Sequence, residues 1–189
     1  MPRKIDEAKL FAAVIRNWMT HGYARCTTKG LAQNSGVNEA TLFRRYGSKA
    51  GLFAHAIDHQ LTDTPLGKLC ISDDLNADLM ALGNAYFKTY EAHGDVLFRA
   101  LQDLPPHPEV RGAASSLLRN VQSMGNLMQH HQRLGHLRAE HPMLALTAFI
   151  GPIATFLMFE RSGLSPEVPP FSIEMHVAGF TTGRGGAST

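Results

Sequence analysis

The chain has 189 residues, of which 44% are hydrophobic, so it can bury a substantial core, and this composition excludes an intrinsically disordered protein. Its formal net charge of +2 is unevenly divided, because residues 1–60 hold nine Lys or Arg against four Asp or Glu (+5), and residues 61–189 hold nine against twelve (−3). The two cysteines, Cys26 and Cys70, lie far apart, which argues against a disulfide framework and favours a reducing cytoplasm.

The N-terminal segment predicts a helix over residues 6–21. Basic residues precede it without an apolar core behind them, so we expect no signal peptide. Asp6 and Glu7 suit the positive end of the helix dipole, and Gly22 is expected to end the helix. Its apolar residues recur at helical spacing: Leu10, Phe11, Val14, Ile15 and Trp18.

Residues 27–53 predict two short helices joined by a tight turn, followed by the start of a further helix. Gly36 falls where the turn needs a positive φ, and Asn38 can cap the second helix with its side-chain oxygen. Leu42 lies on the inner face of that helix. Its polar residues are left to point outward: Thr41, Arg44 and Arg45. Two short helices, a glycine turn and adjacent outward arginines are typical of a DNA-binding helix-turn-helix.

The remainder of the chain predicts helices and no strands. Ser48 can cap a fourth helix that reaches about Asp63, and residues 64–74 are predicted to be a linker. Gly135 is the expected C-cap of a long amphipathic helix. The later helices are predicted over residues 74–93, 95–104, 109–133, 142–159 and 171–180, and residues 184–189 are predicted to be a disordered tail.

The segment from Pro142 to Phe159 contains no charged residue. By length it is a marginal candidate for a transmembrane helix. Gly151-Pro152 in its middle and the lack of a second span favour another interpretation. We therefore predict a helix buried on two sides, once against its own subunit and once against a partner.

Many positions between Gly22 and Phe53 match one known pattern in register: Gly22-Tyr23, Thr27, Leu31-Ala32, Ser35-Gly36-Val37, Ala40-Thr41-Leu42-Phe43, Tyr46, Ser48-Lys49 and Leu52-Phe53. This pattern resembles the N-terminal domain of the TetR family of bacterial one-component transcriptional regulators. Two positions depart from it. Phe43 replaces a common Tyr whose hydroxyl could bond a phosphate, and Gly30 replaces a common Asp or Glu, which leaves the capping box of Thr27 incomplete.

The resemblance implies an all-α fold, with a three-helix helix-turn-helix DNA-binding domain over residues 1–50 and a helical effector-binding and dimerisation domain over residues 51–183. It also implies a cytoplasmic, homodimeric regulator, most simply a repressor, that binds a near-palindromic DNA operator and is released by a small lipophilic effector. The dimer would form through the helices near residues 142–162 and 171–180. The helix of residues 48–63 would transmit the effector's action.

The recognition helix is expected over residues 39–46. Base edges would be contacted by Glu39, Ala40, Arg44 and Arg45. The remaining DNA-binding candidates are Asn38, which opens the helix, and groups suited to phosphates: Thr27, Thr28, Lys29, Thr41, Tyr46 and Lys49. Two alternatives stay open, namely that the arginines only solubilise a surface helix and that Tyr46 is a core residue.

The second half is expected to hold the effector, since Met and aromatic side chains suit an adaptable cavity. The candidate lining residues are Tyr86, Phe87, Tyr90, Phe98, Leu117, Val121, Met124, Met128 and Phe149. The polar groups that could orient a ligand are Gln122, Asn126 and His131. The alternative is that these residues form only a core, in a DNA-binding dimer without an effector cavity.

Ten histidines raise a metal-responsive alternative. One helix carries His55 and His59 four residues apart, and four more crowd one connection: His130, His131, His136 and His141. Neither group has a local Cys as a third ligand, so we expect no metal site and no cofactor. Cys26 raises a redox-responsive alternative, although its sequence neighbours do not guarantee a lowered pKa. No motif of a hydrolase, metalloprotease or nucleotide-binding enzyme occurs, so we expect no catalytic residues.

Overall fold

A computed structural model describes residues 5–103, 105–111, 115–163 and 169–186. These residues form α-helices, and no strand occurs within the described ranges. The helices are α1 (Glu7–Arg25), α2 (Thr28–Ser35), α3 (Glu39–Tyr46), α4 (Lys49–Leu61), α5 (Leu75–Asp103), α6 (Pro108–Arg111), α7 (Ser115–Arg133), α8 (Pro142–Ser162) and α9 (Ile173–Arg184). The predicted all-α class is confirmed.

The chain divides into two compact units. The first comprises residues up to 63 together with residues 93–118, and the second comprises residues 64–92 and those from 119 onward. The first unit therefore contains α1 to α4 and also α6. The sequence predicts a division of the chain by function, into a DNA-binding domain over residues 1–50 and an effector-binding and dimerisation domain over residues 51–183. That division stays a prediction.

The core of the first unit forms around α1. One face of α1 carries Leu10, Val14 and Trp18, all fully buried. Phe53 of α4 packs against Trp18, with ring centroids 6.0 Å apart and planes at 80°. α1 packs on α2 and α4, and α3 packs on α2 and α4. This arrangement mounts α3 on α2 and α4.

The regular part of α1 is interrupted at Gly22, as predicted, and a short turn to Arg25 follows. Gly22 has φ 76°, and an added Cβ would collide with the guanidinium of Arg99. The positive φ is the demand that favours glycine here, because the end of the flexible Arg99 side chain can move aside.

The second unit contains a network of buried polar side chains. His131 Nε2 lies 2.9 Å from Asp78 Oδ2, and the backbone N–H and hydroxyl of Ser72 both donate to the same carboxylate at 2.8 Å. Burial alone would raise the pKa of Asp78, but the bonds from Ser72 and His131 lower it below its usual value. A buried carboxylate is tolerated in a helical core when it is paired and hydrogen-bonded, as that of Asp78 is.

The predicted break after His93 is wrong, because α5 continues through Gly94 to Asp103. A single glycine inside a helix costs about 1 kcal/mol relative to alanine, which tertiary packing readily offsets. Val96 and Ala100, just beyond it, are buried in the first unit. Leu104 and residues 112–114, which the predicted helices included, lie outside the described residues.

The last helix ends later than predicted, and part of the predicted disordered tail makes defined contacts. α9 runs to Arg184, whose Nη1 donates to Glu140 Oε1 at 2.6 Å. Gly185 forms an isolated bridge with Leu137. The first three residues of the predicted disordered tail are therefore held in place, while residues 187–189 lie outside the described part of the chain.

α8 coincides with the uncharged segment identified in the sequence. In the part of the chain that the structure describes, it is the one helix long and apolar enough to cross a membrane by length and composition, with a mean hydropathy of 1.8. Phe149, Ile153 and Leu157 bury one face, yet only 28% of its most apolar window is buried. A large apolar face of α8 is thus left uncovered in the single subunit.

Candidate nucleic-acid interface

Local side-chain caps shape the helix-turn-helix, as the sequence predicts. Thr27 Oγ1 accepts from Gly30 N–H at 3.1 Å at the start of α2, and Asn38 Oδ1 accepts from Ala40 N–H at 2.8 Å at the start of α3. Between the two helices, Gly36 adopts the left-handed conformation with φ 68°. These short-range bonds fix the angle at which α3 leaves the turn.

The two faces of α3 differ in chemistry. Leu42 and Tyr46 are buried on the inner side. Phe43, Arg44 and Arg45 are exposed, and the ring of Phe43 carries no hydroxyl that could bond a phosphate. The exposed side therefore combines two guanidinium groups with one apolar ring.

A side-chain hydrogen bond joins α2 to α3. Thr28 Oγ1 donates to Glu39 Oε1 at 2.6 Å. Thr28 was predicted as a phosphate contact and Glu39 as a base contact. One oxygen of the Glu39 carboxylate is thus engaged within the protein, and the bond orients the carboxylate at the first turn of α3.

A second set of bonds joins α3 to α1. Glu7 Oε1 accepts from Arg45 Nη2 at 2.8 Å and from the hydroxyl of Tyr46 at 3.2 Å. The Tyr46 ring packs on Phe11, with centroids 5.8 Å apart. Burial, followed by the bond to Glu7, raises the pKa of Tyr46. In this structure Tyr46 has the environment of a core residue, the alternative that the sequence left open.

Lys49, at the start of α4, makes its contacts within the protein. Its Nζ donates to the carbonyl oxygen of Tyr23 at 2.8 Å and lies 4.1 Å from the centre of the Tyr23 ring. Burial raises the pKa of Tyr23 to about 12, and Glu109 adds to the shift. Lys49 therefore links α4 to the end of α1.

The exposed side of α3 opens on a groove of about 1030 Å³. The groove lies between the start of α1 and the helix-turn-helix. Its lining residues are Ile5, Asp6, Lys9, Ser35, Gly36, Val37, Asn38, Thr41, Arg44 and Arg45. Of these, Asn38, Thr41, Arg44 and Arg45 belong to the predicted DNA-binding set, and the groove brings them together. Lys9 was not predicted, although its charge and its place near the start of α1 could have suggested it.

Asp103 anchors the first unit at a point that the sequence did not reveal. Its Oδ2 accepts from Trp18 Nε1 at 2.7 Å, from Tyr23 N–H at 2.9 Å and from Arg99 Nε at 3.1 Å. Burial alone would raise the pKa of Asp103, but these donors together hold it below its usual value. The bonds from Trp18 and Tyr23 thus tie the end of α5 to α1, and the bond from Arg99 lies within α5.

Cys26 is a buried, free thiol beside the helix-turn-helix. Burial raises its pKa, although Lys49 and Arg99 act in the opposite direction. Because the thiolate is the reactive form, this environment favours an unreactive thiol.

The candidate effector residues fall into both compact units. Phe98 and Leu117 belong to the first unit and the other candidates to the second. In the second unit Tyr90, Met124, Met128 and Phe149 are buried, while Gln122 and Asn126 are exposed.

Aromatic rings cluster in the second unit. Phe87 lies 6.3 Å from Phe156 and 5.7 Å from Phe171, and Tyr86 stacks 6.4 Å from Tyr90, measured between ring centroids. Burial raises the pKa of Tyr86 to about 12, with a smaller effect of Tyr90. The described residues therefore include a cluster of flat apolar faces.

The histidines singled out in the sequence have neighbours of other kinds. His55 and His59 lie against the rings of Tyr46 and Phe11, with centroids 5.3 and 5.2 Å apart. His131 is fully buried against Asp78. Among the described residues, no cluster of three or more His, Cys, Asp or Glu side chains could hold a metal ion.

The comparisons with known proteins agree with this geometry. Residues 10–56 match the model of bacterial regulatory proteins of the tetR family. A search of curated proteins finds no match.

Solved structures of the same fold cover almost the whole chain. A TetR family transcription regulator from Marinobacter aquaeolei VT8 is 19% identical, with a TM-score of 0.72 and 95% of each chain covered. The flavonoid-responsive regulator FrrA is 17% identical, with a TM-score of 0.69, over 97% of this chain and 98% of that one. The fatty acid degradation regulator FadR from Bacillus halodurans is 15% identical, with a TM-score of 0.65, over 96% and 95%.

The fold and the helix-turn-helix define a DNA-binding transcriptional regulator. Its N-terminal domain matches that of the TetR family of bacterial regulators, and the chain as a whole shares the fold of solved regulators described as members of that family.

Proposed function

We propose that this protein is a ligand-responsive homodimeric repressor that acts in the cytoplasm. It binds a near-palindromic DNA operator and is released from it by a small lipophilic effector. The observation that carries the proposal is the mounting of α3. Side-chain bonds from Thr28 and Glu7 hold its two ends, while Arg44 stays exposed beside an open groove.

DNA reading rests on α3 and its surroundings. Arg44 would fork onto the edge of a guanine, the commonest specific contact of an arginine in the major groove. Asn38, Thr41 and Lys9 line the same groove and would meet phosphates or sugar. Thr27, Lys29 and Ala40 would complete this surface.

Dimerisation would cover the apolar face of α8. Leu144, Met158 and Phe159 are exposed on this helix, and Met175 is exposed on α9. Exposed apolar surface of this kind marks a protein–protein contact. A two-fold dimer would present two copies of α3, and its symmetry would require a near-palindromic operator.

The effector would bind in the second unit. The clustered rings around Phe87 and the Tyr86–Tyr90 stack provide flat, apolar surfaces. One structural neighbour is described as flavonoid-responsive and another as a fatty acid degradation regulator, which supports an aromatic or lipid-like molecule. Buried Met124 and Met128 would let such a cavity adapt its shape.

Release from DNA would be a shift of population between two forms of the dimer. An effector that prefers the non-binding form by about 3 kcal/mol would weaken operator binding about a hundredfold. Within the first unit α4 packs against α1, α3 and α6, so a displacement of α6 would reach α3 through α4.

Thermal melts of the purified dimer against a library of flavonoids, fatty acids and other lipophilic compounds test the effector. A true effector raises the melting temperature in a concentration-dependent way and releases the dimer from its selected operator. A melting temperature that no compound in the library changes would favour a DNA-binding dimer without an effector cavity. Release of DNA by a metal chelator or an oxidant would favour the metal- or redox-responsive alternative.

A further inference from the structure

The last turn of α3 carries two neighbouring arginines whose surroundings differ. Arg45 Nη2 lies 2.8 Å from Glu7 Oε1. The same oxygen accepts from the hydroxyl of Tyr46, whose ring is buried on Phe11. Because the Tyr46 ring is fixed, the carboxylate of Glu7 is localised, and it draws the guanidinium of Arg45 toward α1.

Arg44 has no comparable partner within the described residues. One residue along a helix corresponds to a rotation of about 100°, so Arg44 and Arg45 leave α3 in different directions. Of the charged side chains on α3, Glu39 is engaged by Thr28 and Arg45 by Glu7. Arg44 is the one that is exposed and unengaged in this part of the chain.

We infer that Glu7 is a specificity-determining residue, because it keeps Arg45 from contacting phosphates and leaves base reading to Arg44. This inference rests on the proposed DNA-binding function. Before Arg45 can contact a phosphate, its pair with Glu7 must break, and the Glu7 carboxylate is then left near the negative DNA backbone. That penalty falls on every DNA sequence alike, whereas a bond from Arg44 to a base edge forms only on the correct sequence.

The effect is expected to be modest in affinity but clear in salt dependence. The pair is half exposed, with 46% and 45% of the two side chains accessible. Exposed pairs of this kind are weak, so the change in affinity is a few-fold. Each additional phosphate contact, however, steepens the slope of log K against log salt concentration by about 0.9.

The test compares the wild type with Glu7→Gln on a selected operator and on a random duplex of the same length, between about 50 and 200 mM salt. Glutamine keeps the size of the side chain and can still accept from Tyr46, but it has no charge to hold Arg45. We expect affinity for the random duplex to rise about three- to tenfold and the salt slope to steepen by about 1 per subunit. Operator affinity should rise less, so discrimination falls.

The decisive control is the same substitution in an Arg45→Ala background. If Glu7 acts through Arg45, Glu7→Gln has no further effect on the salt slope there. If it acts only by removing a negative charge near DNA, the slope steepens equally in both backgrounds, and the inference is wrong. Tyr46→Phe removes a hydrogen bond to Glu7 without changing charge and should move the slope in the same direction by less. Glu91→Gln, on an exposed residue of α5, should change nothing.

The outcomes separate this inference from the proposed function. A wild type that prefers no duplex overturns the function itself. The other case is a wild type that prefers its operator while Glu7→Gln and Tyr46→Phe both match it in salt slope and in discrimination between operator and random duplex. That result overturns the role of Glu7 alone.

Discussion

Thr28 donates a 2.6 Å hydrogen bond to Glu39, which ties the first turn of α2 to the first turn of α3. The two residues stand eleven positions apart, on either side of the turn at Gly36. The backbone of the turn and this bond therefore fix the N-terminal end of the recognition helix, α3, against α2.

Thr28→Val should weaken operator binding without unfolding the protein. Valine has a similar shape but cannot donate, so Glu39 loses its orientation. We expect operator affinity to fall about fivefold, in line with a net hydrogen-bond contribution of about 1 kcal/mol, and affinity for random DNA to stay unchanged. Thr20→Val is the matched control, because among the described residues the Thr20 hydroxyl bonds only to a carbonyl of its own helix. Equal losses in both variants would show that the bond to Glu39 is unimportant.

Arg44→Ala should strongly reduce operator preference. An arginine that contacts a guanine edge contributes about 1–3 kcal/mol of discrimination, so the ratio of operator to random affinity should fall about 10- to 100-fold. Quantitative binding measurements on both duplexes check this. Lys88→Ala removes one positive charge from an exposed position of the second unit and should leave the ratio intact. An unchanged ratio in Arg44→Ala would place base reading elsewhere.

Asp103→Asn should destabilise the protein near neutral pH. The folded-state pKa of Asp103 is lowered by its donors, so the ionised form stabilises the fold above the unfolded-state pKa. That contribution is lost as the pH falls through the lower folded-state pKa. We expect a loss of roughly 1–3 kcal/mol at about pH 7, which shrinks below about pH 4.

Urea unfolding of the wild type and Asp103→Asn across this pH range measures the difference. Glu91→Gln, which removes a negative charge from an exposed position of the same helix, should show little loss at any pH. A loss in Asp103→Asn that is independent of pH would mean that the carboxylate's charge is not what stabilises the contact.

Leu144→Lys should produce a monomer. Leu144 is 59% exposed on α8, and a charge there would be buried without a partner in the proposed dimer. Sedimentation velocity gives the oligomeric state. Leu101→Lys is the control, since Leu101 is 74% exposed on α5, away from α8 and α9 in the chain, and this variant should remain dimeric. A dimeric Leu144→Lys protein would show that the interface lies elsewhere.

The sequence predicted the helix-turn-helix closely because the features that define it are local. The caps at Asn38 and Ser48 and the turn at Gly36 involve neighbours within three or four residues. The predicted bounds of the recognition helix, residues 39–46, are those of α3.

Contacts between residues far apart in the chain could not be predicted from the sequence. Asp103 meets Tyr23 and Trp18, which lie 80 and 85 positions away. Glu7 was identified only as suited to the helix dipole, although it also binds the last turn of α3. The continuation of α5 through Gly94 likewise depends on tertiary packing. No local pattern specifies which distant donor meets which carboxylate.

An unbiased selection from random duplexes by the purified protein at low ionic strength tests the central claim most directly. We predict enrichment of a near-palindromic sequence by the wild type and loss of that enrichment in Arg44→Ala. If the wild type enriches no duplex while it is folded and dimeric, α3 does not read DNA, and the proposed function is contradicted.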